Sequence, residues 1–93
     1  MGCMKIERVE VLTVGTTAQT VAVHGLGCLI ENNSDSTTVY FKEMRDDGKK
    51  ATSSNGFALG PGKMTPVPLV AMDLSVVASD AGTDVRVLVL DWG

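Results

Sequence analysis

The chain has 93 residues, 44% of them hydrophobic but only 4% aromatic, with a formal net charge of −3 and a pI near 4.9. That length fits one domain, residues 1–93, with a thin core built from Val, Leu, Ile, Ala and Met. The acidic balance excludes a general nucleic-acid binder, which needs Lys and Arg against phosphates, and no apolar run reaches the roughly 18 residues of a membrane span.

The N-terminus, Met1-Gly2-Cys3-Met4-Lys5, carries no apolar signal-peptide core. Gly2 lacks the Ser or Thr that myristoylation wants at position 6, which is Ile6. Lys5–Val14 alternates in part and reads as a first strand, ended by Gly15-Thr16-Thr17. Thr20–Val23 is a short second strand, stopped by His24-Gly25. Cys28–Asn32 is a third, nearly continuous in apolar character. Asn33-Ser34-Asp35-Ser36 is a turn cluster whose side chains bond their own backbone.

Thr37–Met44 is the clearest strand, with Thr38, Tyr40, Lys42 and Met44 on one face and Val39, Phe41 and Glu43 on the other. Asp47-Gly48 is a type I′ hairpin signal, so Lys50–Ser53 is expected to return antiparallel. Next comes the punctuated centre of the chain. Asn55-Gly56 and Gly60-Pro61-Gly62 are turns, with positive φ expected at Gly56 and Gly62, and they flank Phe57-Ala58-Leu59. Lys63–Leu69 is strand-like but holds Pro66 and Pro68, so it is an edge or is irregular. Leu69–Ala78 reads as a strand and Ser79–Thr83 as a turn. In Asp84–Asp91, Val85, Val87 and Val89 face one way and Arg86, Leu88 and Leu90 the other. A strand apolar on both faces is central to a sheet or covered by a neighbour. Short strands with turn signals roughly every ten residues make an all-β, single-domain antiparallel β-sandwich, of jelly-roll, immunoglobulin-like or related barrel type.

The residues offer no catalytic constellation. His24, the one histidine, has neither nucleophile nor orienting acid in a motif around it. Cys3 and Cys28 lack metal-ligand spacing. They are expected as reduced thiols, Cys28 buried and Cys3 accessible. Asp46-Asp47-Gly48, Asp80 and Asp84 do not match a calcium loop, and turns use Asp for local bonds. No cofactor and no metal are expected. Trp92 packs either on its own sheet or in a subunit contact.

Leu29-Ile30-Glu31-Asn32-Asn33, Val39-Tyr40, Asn55–Gly62 and Ser79–Val87 together resemble a family of small β-sandwich virion proteins of tailed bacteriophages. The resemblance covers the chain from Leu29 onward. It implies a capsid cement or decoration subunit, or a tail or fibre component, without catalytic residues and located in the virion after assembly in the host cytoplasm. The implied partners are the major capsid protein and further copies of the chain, as a homotrimer, because three-fold points are where capsomers meet. Leu88, Leu90 and Trp92 are the candidate contact. The rival class, a free carbohydrate-binding module, normally displays aromatic platforms, and this chain has one Trp, one Tyr and two Phe.

Overall fold

A computed structural model describes residues 4–23, 27–44, 49–68 and 73–92. Its strands are β1 (Met4–Val14), β2 (Gln19–Val21), β3 (Gly27–Asn32), β4 (Val39–Glu43), β5 (Phe57–Leu59), β6 (Met64–Pro68), β7 (Leu74–Ala78) and β8 (Thr83–Trp92). Every pairing is antiparallel. The pairs β1–β8, β2–β7, β3–β6 and β4–β5 are the successive rungs of one long hairpin with its tip between β4 and β5. The hairpin then curls, so that β8 also pairs with β3 and β7 with β4. Two four-stranded sheets result, ordered β1-β8-β3-β6 and β2-β7-β4-β5. That is the jelly-roll order, two Greek keys back to back.

The period-2 pattern decides which side chains meet between the sheets. Val85, Val87 and Val89 of β8 lie with Cys28 and Ile30 of β3 against Val39 and Phe41 of β4 and Leu74, Val76 and Ala78 of β7. Stiff β-branched side chains suit this pleated surface, and each buried aliphatic contributes about 1.5–3 kcal/mol.

One buried polar residue joins the sheets at the end where β3 stops. The Asn32 side chain is fully buried. Its Nδ2 donates to the carbonyls of Thr37 (2.7 Å) and Leu59 (3.0 Å), and its Oδ1 accepts from the Ser34 amide (3.2 Å) and hydroxyl (2.6 Å). Asn32 therefore ties β3 of one sheet to β5 of the other.

The tip of the hairpin departs from expectation in two ways. Lys50–Ser53 is not a strand; the strand that returns beside β4 is Phe57–Leu59. The 49–53 stretch instead lies over the outer face of the β2-β7-β4-β5 sheet, where the Ala51 amide donates to the buried Ser75 Oγ at 2.8 Å. This cover is why Ser75 and Val77 are buried although they point away from the core. Secondly, Gly56 does not have positive φ. Asn55-Gly56 closes a wider turn, in which the Gly56 amide donates to the Thr52 carbonyl (3.0 Å) while Asn55 Oδ1 accepts from the Thr52 amide (2.6 Å). Gly60-Pro61-Gly62 does follow its signature. Gly62 has φ +69° and the Lys63 amide donates to the Gly60 carbonyl (3.2 Å), a turn with Pro at the second position and positive-φ Gly at the third. Asp47-Gly48 and His24-Gly25 lie outside the described residues.

Candidate interaction surface

The two sheets differ on their outer faces. One is covered by its own 49–53 segment; the other, β1-β8-β3-β6, is open. Register places Leu88 and Leu90 of β8 beside Leu29 of β3 and Val9 and Ile6 of β1 on that open face. Met64 and Pro66 of β6 complete it. Ile6, Val9, Val11 and Met64 are 61, 52, 61 and 60% exposed, against a core whose valines are closed to solvent. A hollow of about 260 Å³ lies at its centre, lined by Val9, Leu29, Glu31, Met64, Arg86 and Leu88.

The face is charged at one end. The Arg86 guanidinium lies 3.2 Å from Asp84 Oδ2, and Asn33 Nδ2 donates to the same oxygen at 2.9 Å. The bonds from Arg86 and then Asn33 hold the Asp84 carboxyl below the usual carboxylate range, and Asp84 raises Arg86 in turn. An apolar field with a polar end is the anatomy of a protein contact.

Leu88 and Leu90 thus stand on this face, half-buried by their neighbours, as the alternation of β8 requires. The Trp92 side chain lies outside the described residues. Ile6, Val9, Val11 and Met64 were not among the expected contact residues. The signal was the alternation of Val9 and Val11 with Glu10, obscured by a bulge at Glu7 that brings Ile6 onto the same face as Val9. The five turn residues Asn55, Gly56, Gly60, Pro61 and Gly62 sit apart from the face, at the hairpin tip and before β6.

In the other clefts Lys42, Asn55 and Asp80 are already engaged. A groove of about 350 Å³ between the β5 and β6 edges is lined by Phe41, Phe57 and Pro66, with the Phe57 and Phe41 rings tilted by 52° at a centroid distance of 5.5 Å. Its Asn55 and Lys42 donate to the Lys50 and Lys49 carbonyls. Asp80 accepts from the Ala81 amide of its own turn. Among the described residues no three His, Cys, Asp or Glu side chains converge on a common point.

Cys28 is buried and unpaired with any sulfur, and burial pushes its thiol up to about 11. A thiol reagent at pH 8 is expected to modify Cys28 only as fast as the protein unfolds, which peptide mass mapping over time checks. The raised value also sets an alkaline limit. The unfolded chain loses this proton near pH 9 and the folded chain near 11, so stability falls as pH rises through that window.

Compared with family models, with curated proteins and with solved structures, the chain matches none.

Proposed function

We propose that the protein is a virion structural subunit, a capsid cement protein that binds the major capsid protein through the open face of β1-β8-β3-β6 and works as a homo-oligomer. The observation that carries this reading is the asymmetry of the sandwich. A chain that folds its own segment over one sheet leaves Val9, Val11, Leu88 and Met64 on the other without a cover among the described residues. Such a face gains stability by assembly, since a partner that binds only the folded state shifts the folding equilibrium. Jelly rolls serve as capsid subunits, lectins and cupins alike, so the fold only permits the role; the resemblance to tailed-phage virion proteins selects it. We read the chain as non-catalytic, because no catalytic constellation stands in its sequence and Lys42, Asn55 and Asp80 in its clefts bond the chain's own backbone. Particle symmetry favours three copies at the sites where capsomers meet.

Electron microscopy of purified particles tests the reading. Density for the protein on the head surface is the expected result. Density confined to the tail would overturn the cement role, and absence from the particle would overturn the virion role.

A further inference from the structure

We infer that two copies of this chain join edge to edge through β1, antiparallel, with Val9 on the two-fold axis. The inference rests on the reading of the protein as a self-assembling subunit and names the contact.

Each sheet has two edges, and three of the four are poor templates. β2 and β5 are three residues long. β6 is closed by its prolines. The Asn32 amide donates to the Lys63 carbonyl, so by alternation Thr65 and Val67 turn their backbone toward β3, while Pro66 and Pro68 turn outward. They offer carbonyls but no N–H, which prevents a further strand from adding there.

β1 is different: eleven residues, paired on one side only among the described strands. The Thr13 carbonyl accepts a bond from Gln19 Nε2 at 2.5 Å, on the side away from β8. Alternation then turns the N–H and C=O of Val11 and Val9 to that same free side. Their backbone groups meet no hydrogen-bonding partner among the described residues.

The charges choose the register, with Arg8 already bonded in its own chain to Glu10 (2.8 Å), Glu7 (3.2 Å) and the Ala22 carbonyl. Along the ladder with β8, Val9 stands opposite Leu88, Glu10 opposite Val87 and Arg8 opposite Val89. Val11 stands opposite Arg86 and Ile6 opposite Leu90, because the bulge places Glu7 and Arg8 at one step. A two-fold axis through Val9 therefore sets Glu10 against the second copy's Arg8, twice. It also sets Val11 against the second copy's Ile6, twice. Opposite charges and apolar side chains directly across an antiparallel pair are favourable. An axis through Glu10 would oppose two carboxylates, and one through Val11 would oppose Glu10 with Leu12. The Val9 register also merges the two open faces into one apolar field across an eight-stranded sheet. Its symmetry yields pairs of chains, in place of the trimer that particle symmetry favours.

Sedimentation velocity over a micromolar concentration series tests this. The expected result is a species of twice the 9.8 kDa chain mass that dissociates on dilution. Val9→Pro removes an N–H that bonds no described residue and should leave a folded monomer. Arg8→Glu should weaken pairing roughly tenfold or more, and Arg8→Glu with Glu10→Arg should restore it. Should Val9→Pro fail to fold, amide hydrogen exchange decides: the Val9 amide is slow at high concentration and fast on dilution. A monomer throughout, a trimer, pairing unchanged by Arg8→Glu, or a Val9 amide indifferent to concentration overturns the inference. Capsid binding without pairing would leave only the capsid contact of the proposed function standing, and pairing without capsid binding would leave only the inference.

Discussion

Replacing Asn32 by Leu is expected to lower the melting temperature by about 10 °C or more. The side chain is fully buried and makes four hydrogen bonds. Leucine has a similar branched shape, so the cavity term is small and the loss is polar. The Leu59 carbonyl would lose its bond to Asn32 in a buried site. The Ser34 amide would lose its acceptor as well. The Thr37 carbonyl would keep a longer bond, from Ser34 Oγ at 3.3 Å. Depriving the buried Leu59 carbonyl and the part-buried Ser34 amide of Asn32 costs about 1–3 kcal/mol each, and 1 kcal/mol moves the midpoint of a domain this size by about 4–8 °C. Ser34→Ala, which removes a hydroxyl but leaves Asn32 bonded to both carbonyls, should change the midpoint far less. Thermal unfolding followed by circular dichroism checks both; equal, small shifts would mean that Asn32 does not join the sheets.

The second large effect separates two glycines that the sequence presents as equivalent. At Gly56 a Cβ would lie 2.8 Å from Tyr40 Cβ, 3.0 Å from the Thr52 carbonyl oxygen and 3.1 Å from the Phe41 nitrogen. None of these atoms is the end of a flexible side chain. Gly56→Ala should therefore destabilise by about 1–3 kcal/mol through overpacking, and Gly56→Val by more. At Gly62 a Cβ would meet nothing within 4 Å, but φ is +69°. Strain alone acts there, so Gly62→Val should cost about 1–3 kcal/mol. Asparagine tolerates this conformation. Gly62→Asn should thus approach wild-type stability while Gly56→Asn should not. Denaturant unfolding of the variants reads the difference directly, and a rescue by Asn at both positions would return Gly56 to the positive-φ class.

The legible parts of the fold are those that local pattern controls. Val85, Val87 and Val89 alternate with Leu88 and Leu90, which made β8 either central to a sheet or covered by a neighbour, and it is central, between β1 and β3. Pro66 and Pro68 marked β6 as an edge or an irregular piece, and it is an edge; Gly60-Pro61-Gly62 announced its turn. What local pattern does not encode is where a segment lies once the sheets have curled. Lys50–Ser53 could pair with β4 or cross its outer face. The choice depends on the Ala51 amide reaching Ser75, 24 residues away. The same holds for Asn32, which reads as the polar end of a strand and becomes a link to Leu59, 27 residues on. Half of the open face was visible in Leu88 and Leu90. The β1 half was hidden by the bulge at Glu7, because one extra residue reverses which side chains share a face.

The proposed capsid contact is the open face of β1-β8-β3-β6. Met64→Glu tests it at a position far exposed and remote from the β1 edge. The measurement is co-sedimentation with capsids that lack the protein. The wild-type chain should pellet with the capsids, and Met64→Glu should remain in solution with its melting temperature unchanged. A wild-type chain that stays in solution, or a Met64→Glu chain that binds as well as wild type, would contradict the claim.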